Sequence, residues 1–390
     1  AVACAFEEEF LEVPHAALIA SMQDHQKFFP VRDSSDPKLV TNRFFGVANV
    51  DSTDISAVRE GSERVIRPRL ADARFFLEQD QKQTLESYLP RLDRVVFQKK
   101  IGTIGDKSSR ISNLSTNISD YISDDSVLAG RAARLSKCDL VTHMVGEFPE
   151  LQGLMGQQYA LSSGESPGVA AARAEHYAPR FAGDDIPPSS AGRIVSIADR
   201  LDTLVGIFAA GLRPTGNKDP FALRRSALGL VRILIEAEID IPLEALLKLA
   251  ANQLSGQVEI KADLLTEVRD FVVERLRHYY REQGYAAELI NAAIATSFDT
   301  LPDLDRRLKA IAQFMGQEEA QSLAAANKRI GNILRKAGES NFTKIDEDRL
   351  VLSQDQHLFE EVNRQGQEVS PLLKDGEYLS GLLLLAGLKT

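Results

Sequence analysis

The chain has 390 residues, and its 44% hydrophobic and 26% charged content is that of a globular protein, which excludes a disordered or collagenous chain. At roughly 150 residues per domain, this length predicts two or three domains. The longest near-continuous apolar run, residues 381–388, is far shorter than the roughly 20 residues of a membrane span, so a membrane partner is excluded. Two cysteines, Cys4 and Cys138, are too few for a disulfide framework or a zinc cage. The formal net charge of −10 argues, taken alone, against a nucleic-acid partner.

The first 95 residues mix strand and helix signals. Aromatic and β-branched runs at 28–31 and 43–50, bounded by Asp, Ser, Pro and Asn, predict two strands. Apolar residues between Leu70 and Leu89 have helical spacing, and Pro90 interrupts the pattern. We therefore expect a small α/β region at the start of the chain.

Beyond Arg91 almost every segment has a helical pattern, broken by Gly, Pro and Ser clusters that predict loops at 102–105, 162–167 and 183–188. An amphipathic helix from Leu264 is expected to end near Gly284, and residues 301–390 should form three more helices, with breaks near Gly338 and Gly366. The predicted fold is mainly α and multidomain: an α/β region over 1–95, a helical domain over 96–240, a helical linker over 241–300 and a further helical domain over 301–390.

The charge is unevenly distributed along the chain. Three basic segments each carry a net charge of +4, so the remaining residues sum to −22; the segments are 61–110, 213–232 and 327–336. Basic islands in an acidic body favour a selective binder of a large polyanion, because attraction is confined to one path. Ordinary solvated helix faces are the alternative interpretation of each island.

Two of these islands contain arrangements suited to phosphate. Arg67 and Arg69 flank Pro68, which predicts a compact fork of two guanidinium groups. The loop before Arg224 contains Lys218 and leads into a helix that a proline can open, so that lysine and the free helix N–H groups are expected to face an anion. The Walker A spacing is missing from this loop.

Another pattern resembles the metal site of HD-type phosphohydrolases, in which a helix carries a His-Asp pair and a later helix supplies the last Asp. Residues 133–142 resemble the first helix, with Cys138 in place of the histidine and Asp139 beside it, and His176 and Asp199 match the later positions. Because such hydrolases need at least two His and two Asp around a divalent ion, the site is incomplete. We interpret Asp139, His176 and Asp199 as vestigial positions, buried and hydrogen-bonded, and assign no metal site; a weak metal held by these three residues is the alternative. His143 is interpreted as a surface residue.

Other catalytic templates are absent from the sequence. No HExxH, GxSxG, GxGxxG or CxxC pattern occurs, and neither do the ATP-binding signatures of class I or class II aminoacyl-tRNA synthetases. We assign no catalytic residue to this chain.

Several long blocks together resemble the β subunit of bacterial-type glycyl-tRNA synthetase, and they follow the order of that family over nearly the whole chain. The blocks are residues 24–30 (DHQKFFP), 67–76 (RPRLADARFF), 135–140 (LSKCDL), 144–148 (MVGEF), 198–206 (ADRLDTLVG), 218–225 (KDPFALRR) and 325–334 (AANKRIGNIL).

The resemblance implies an α2β2 tetramer in which the α subunit adenylates glycine with ATP and Mg²⁺ while the β subunit positions tRNA(Gly). It implies an HD-like domain without a full metal set, then a helical linker and an anticodon-binding domain of the type found in arginyl-tRNA synthetase. We expect this last domain to be incomplete at Thr390 and an N-terminal part to be missing. A bacterial cytoplasm or plastid stroma, no cofactor in this chain and no DNA or membrane partner are also implied.

On this interpretation the basic islands hold tRNA phosphates, and the candidate tRNA-binding residues are Arg67, Arg69, Lys218, Arg224, Arg225, Lys328 and Arg329. Arg224 and Arg225 have an alternative role as partners of acidic neighbours within the domain. Two other functions remain open for the chain: an HD-type metal-dependent phosphohydrolase, and a purely structural scaffold for the α subunit.

Overall fold

The computed structural model describes residues 1–37, 39–49, 52–122, 125–337 and 350–387. The chain forms two compact units, which are described separately. The first unit contains residues 1–233 and 246–268, and the second contains residues 234–245 and 269–390. The division into four domains stays a prediction.

The structure is mainly helical, as predicted. The strands are β1 (Val2–Ala5), β2 (Phe29–Arg32), β3 (Val40–Gly46), β4 (Val96–Gln98) and β5 (Gly102–Thr103). The α-helices are α1 (His15–Ala20), α2 (Ile55–Asp80), α3 (Leu89–Leu92), α4 (Ile104–Ile122), α5 (Ser126–Leu135), α6 (His143–Glu147), α7 (Leu154–Ser162), α8 (Pro167–Glu175), α9 (Ser190–Ala209), α10 (Leu223–Glu236), α11 (Leu243–Gln253), α12 (Leu264–Glu282), α13 (Ala287–Ala295), α14 (Leu301–Phe314), α15 (Glu318–Ala337), α16 (Ser353–Lys374) and α17 (Tyr378–Ala386). Short 3-10 turns cover Glu8–Glu12, Leu85–Tyr88, Cys138–Val141 and Pro149–Leu151, and a π turn covers Ser21–His25.

The first unit begins with a three-stranded antiparallel sheet in the order β1-β3-β2. The predicted strands at 28–31 and 43–50 correspond to β2 and β3. Phe44 of β3 is buried on the inner face, where its ring lies 4.9 Å from that of Phe28. Helix α2 covers the free edge of β1: Arg59 donates to the carbonyl of Ala3 at 2.9 Å, and Glu63 accepts from the N–H of Ala5 at 2.9 Å.

Helix α2 differs from the prediction for this segment. It begins after Asp54, whose carboxylate caps it by accepting from two N–H groups, and it ends at Asp80. The predicted helix from Leu70 to Leu89 is therefore wrong at both ends. Pro68 lies inside α2, where the chain stays helical because the buried stripe on either side, which includes Ile66 and Leu70, packs against the first unit.

The centre of the first unit is a bundle in which α4, α5, α8 and α9 pack against one another. Most of α9 is buried. Gly156 of α7 lies directly against the buried guanidinium of Arg173 from α8, so closely that a Cβ at this glycine would overlap the guanidinium. The predicted loops at 162–167 and 183–188 are confirmed, because α7 ends at Ser162 and α8 begins at Pro167, and residues 183–188 lie between α8 and α9. The predicted loop at 102–105 is wrong, because Gly102–Thr103 forms β5 and α4 begins at Ile104.

The second unit is built from helices. Helix α12 runs from Leu264 as predicted, and Gly284 follows it with a φ of +89°. Phe314, Ala320 and Ala386 form a core cluster between α14, α15 and α17. The predicted break at Gly366 is wrong, because this residue lies inside α16, and Gly338 lies outside the described residues. Within the described ranges, no helix combines the length and apolarity needed to cross a membrane.

Candidate functional site

Two of the HD-like positions, His176 and Asp199, meet at the four-helix bundle, where they face lysines. The carboxylate of Asp199 on α9 forms an ion pair with a lysine at each oxygen. Lys107 Nζ lies 2.7 Å from Oδ1 and Lys137 Nζ lies 2.6 Å from Oδ2. Lys137 Nζ also lies 2.8 Å from His176 Nε2. We call Lys107, Lys137, His176 and Asp199 the lysine centre.

The protonation states in the lysine centre follow from burial and from these contacts. Burial, with the positive charge of Lys137, keeps the pKa of His176 well below its ordinary value. Burial opposes ionisation of Asp199, but Lys107 and Lys137 hold the pKa of its carboxyl well below the ordinary range. The imidazole is therefore neutral and the carboxylate charged.

A second carboxylate, Asp202, lies one helical turn along α9 from Asp199. Its Oδ1 accepts from Arg110 Nε at 2.5 Å, and its Oδ2 lies 3.1 Å from Lys107 Nζ. These side chains are buried. Two carboxylates of α9 thus face three cations of neighbouring segments.

The remaining HD-like positions point to a separate ion pair. Asp139 lies 2.8 Å from the buried guanidinium of Arg173 and accepts from the N–H of Gly153 at 2.6 Å. Burial raises the pKa of Cys138 to about 12, so its sulfur is a poor metal ligand at neutral pH. The segment around these two residues is a 3-10 turn, and the predicted continuous helix over 133–142 is wrong.

The geometry does not fit a divalent metal. His176 Nε2 and Asp199 Oδ2 lie 3.8 Å apart with the ammonium of Lys137 bonded to both, while Asp139 is held by Arg173. Among the described residues, no three His, Cys, Asp or Glu side chains are arranged around a common ion position. Asp139, His176 and Asp199 therefore do not form the weak metal site that the sequence left open as an alternative.

His143 lies at the surface, as predicted, with 53% of its side chain exposed, and it has a structural partner. Its Nδ1 lies 2.8 Å from the buried carboxylate of Asp80, which also accepts from the N–H groups of His143 and Met144 at the start of α6.

Arg67 and Arg69 do not form the predicted fork. Both lie within α2, and each is paired with an acid: Arg67 with Glu7 at 2.5 Å and Arg69 with Glu147 at 3.1 Å. The prediction failed because Pro68 continues the helix, which turns the two side chains in different directions.

The loop before α10 also differs from its prediction. The carboxylate of Asp219 accepts from the N–H groups of Leu223 and Arg224, at 2.8 and 2.9 Å, so the helix start that was expected to face an anion is already capped. Arg224 donates to the carbonyl of Gly216 at 2.7 Å. The guanidinium of Arg224 is thus held by a backbone carbonyl of the loop, while its backbone N–H is held by Asp219.

Lys218 and Arg225 remain exposed, and the fold brings them near the first basic island. The ring of Phe221, in the same loop, contacts that of Phe97 on β4 at 6.2 Å between centroids. The turn after β4 carries Lys99, whose side chain is exposed. We call Lys99, Lys218 and Arg225 the hairpin–loop surface; in the described part of the chain these three cations have no ion-pair partner.

This surface lies beside the lysine centre, because Lys107 Nζ lies 4.7 Å from the centre of the Phe97 ring. Positive charge is concentrated here: burial first, then repulsion from Arg225 and Arg232, lowers the pKa of Arg200 to about 10. Lys328 and Arg329 of the third island are exposed on α15.

Sequence reasoning missed Lys107, Lys137 and Lys99. Lys137 directly precedes the Cys138-Asp139 pair, and this adjacency is the one local signal that could have identified it. Lys107 is distant from the motif in sequence and is revealed only by the packing of α4 on α9.

The family model described as glycyl-tRNA synthetase beta subunit matches residues 1–295, which include the sheet, the lysine centre and the hairpin–loop surface. The chain belongs to the glycyl-tRNA synthetase β-subunit family. The glycine–tRNA ligase beta subunit of Pseudomonas entomophila (strain L48) is 45% identical over 386 residues, covering 99% of this chain and 56% of the relative. That of Pseudoalteromonas translucida (strain TAC 125) is 46% identical over 385 residues, covering 98% and 55%. The chain spans about half the length of these β subunits.

Proposed function

We propose that this chain supplies tRNA-binding surface to a glycine–tRNA ligase and leaves the adenylation of glycine to the α subunit of an α2β2 assembly. The observation that carries the proposal is membership of the β-subunit family, whose relatives are named as subunits of this ligase. The missing ATP signatures support the division of labour, with ATP and Mg²⁺ used by the partner. The chain then works in the bacterial cytoplasm or the plastid stroma.

The part of the chain best suited to RNA is the hairpin–loop surface. Lys99, Lys218 and Arg225 are exposed cations without carboxylate partners in the described residues, and the half-buried rings of Phe97 and Phe221 contact each other where the hairpin meets the loop. Cations beside aromatic rings suit RNA, since the cations bind phosphates and the rings stack on bases. Arg67 and Arg69 would first have to leave Glu7 and Glu147.

Binding of tRNA(Gly) at increasing salt tests the proposal. We expect affinity to fall steeply between about 50 and 200 mM salt, because each phosphate contact releases counterions. The double charge reversal Lys218→Glu/Arg225→Glu should weaken binding at least tenfold and flatten the salt dependence. Lys248→Glu, at an exposed position of α11 outside the basic islands, is the matched control. Affinity that is independent of salt and of both variants would contradict the proposal.

The two alternatives make different predictions in the same reconstituted system. A structural scaffold would leave glycine attachment by the tetramer unchanged in Lys218→Glu/Arg225→Glu. A phosphohydrolase would cleave nucleotides or phosphodiesters with Mn²⁺ and lose this activity in Asp199→Ala. The ammonium of Lys137 between His176 and Asp199 argues against the second alternative.

A further inference from the structure

The lysine centre has the coordination pattern of a metal site with an amine in the position of the ion. Lys137 Nζ lies 2.8 Å from an imidazole nitrogen and 2.6 Å from a carboxylate oxygen, which are hydrogen-bond lengths. A metal ion bonded to the same two atoms would lie about 2.0–2.2 Å from each.

The orientation of His176 also matches that of a metal ligand. Its Nδ1 donates to the carbonyl of Arg173 at 2.5 Å, which leaves the lone pair of Nε2 directed at Lys137. Metal-binding histidines are typically fixed in this way, with the other ring nitrogen donating to a carbonyl or carboxylate. The bond fixes the tautomer of the ring, whichever cation lies on the other side.

The cations in and around the lysine centre already outnumber its carboxylates. Asp199 and Asp202 face Lys107, Lys137 and Arg110 within 3.1 Å, so a divalent ion would enter a region with an excess of positive charge. The buried stem of Lys137 and the ring of Tyr177, 4.5 Å from its Nζ, close the space around the ammonium.

We infer that the ammonium of Lys137, supported by Lys107, is the cation of this centre and joins α8 and α9 in place of a divalent metal. The fold then needs no metal, and shortening Lys137 opens a position that an added cation can fill. The inference concerns the bundle alone and does not depend on tRNA binding.

Thermal melting with EDTA or with Co²⁺ tests this inference on the whole chain. The wild type should melt at the same temperature in both. Lys137→Ala should melt several degrees lower in EDTA, because Asp199 and His176 lose a buried partner. Co²⁺ should restore part of the loss and give a visible absorption band from the bound ion. In the double variant Lys137→Ala/Asp199→Asn, Co²⁺ should neither raise the melting temperature nor give the absorption band.

Two further variants keep the test decisive. Lys137→Met preserves the volume of the stem without its charge and should also melt lower in EDTA, whereas Lys82→Met, at an exposed lysine, should not. If Lys137→Ala does not fold, the melting temperature of Lys137→Met and the response of the wild type to Co²⁺ still test the inference. The inference is overturned by Co²⁺ binding to the wild type that Asp199→Asn abolishes, by Lys137→Met as stable as the wild type, or by a folded Lys137→Ala that ignores Co²⁺.

Discussion

At the scale of single residues, His176 shows how burial turns an ordinary side chain into an acid-sensitive one. It is buried between Lys137, Asp199, Arg173 and Tyr177, where a positive charge on the ring would face two cations and one carboxylate. Its folded pKa is well below the unfolded value of about 6.5.

We expect the free energy of unfolding to fall as the pH drops below about 6.5. In this range the unfolded chain binds a proton at His176 that the folded chain does not, so the slope approaches about 1.4 kcal/mol per pH unit. Asp199, whose folded pKa is also lowered, adds its own loss only below about pH 4.

Urea unfolding of His176→Gln between pH 7 and 4.5 checks this expectation. The variant should lose most of the slope, since it has no titrating ring. His278→Gln, at an exposed position of α12, should keep it. Equal slopes in the wild type and His176→Gln would mean that another group causes the acid sensitivity.

Some residues of the lysine centre could be predicted from the sequence and others could not. Asp199 and His176 were singled out correctly as buried polar residues of the HD-like bundle, because they belong to a recognisable pattern. Their partners were not, because Lys107 comes from a helix about ninety positions earlier and no local signal marks it. A charge that is neutralised across a bundle is invisible in a linear sequence.

At the scale of elements, two glycines in helices have opposite environments. Gly61 lies in α2, and a Cβ at this position would meet no atom within 4 Å. Gly156 lies in α7 against the guanidinium of Arg173, which is fully buried and paired with Asp139 and therefore has no room to move. A Gly→Ala substitution should therefore stabilise the fold at Gly61 and destabilise it at Gly156.

We expect Gly61→Ala to raise the free energy of unfolding by about 0.5–1 kcal/mol, because alanine favours the helix. Gly156→Ala should lower it by about 3 kcal/mol or more, through overpacking and displacement of a buried ion pair. Denaturant unfolding of both variants gives the comparison. A stable Gly156→Ala would imply that α7 and α8 can move apart at little cost.

Element prediction succeeded where one face of a helix is apolar and failed where other interactions decide. Helix α12 and the loops at 162–167 and 183–188 followed from periodicity and from Gly and Pro. Helix α2 did not, because Pro68 normally ends a helix and the long-range packing of α2 overrides this preference.

At the scale of the whole molecule, the structure shows where two of the three basic islands lie relative to each other. The first two islands meet through the contact of Phe97 with Phe221, which a linear count of charges does not reveal. Part of the positive charge of the first island is neutralised within the chain by ion pairs, such as that of Arg67 with Glu7. The charge left for a polyanion is thus smaller than the sequence suggests and more concentrated.

If the hairpin and the loop bind one RNA, Lys99 should contribute as much as Lys218 although they belong to different islands. Lys99→Glu should weaken tRNA(Gly) binding several-fold at about 100 mM salt, and Arg67→Glu should have a smaller effect because its charge is already paired. Fluorescence anisotropy with labelled tRNA measures both. A larger effect of Arg67→Glu would place the RNA on α2 instead.

The covering of β1 by α2 has a consequence for the behaviour of the chain in concentrated solution. An uncovered edge strand offers its free N–H and carbonyl groups to the backbone of another molecule, which is a route to aggregation. Arg59 and Glu63 occupy the carbonyl of Ala3 and the N–H of Ala5 with their side chains. Two charged residues of a helix thereby protect the β1 edge of the sheet from intermolecular strand pairing.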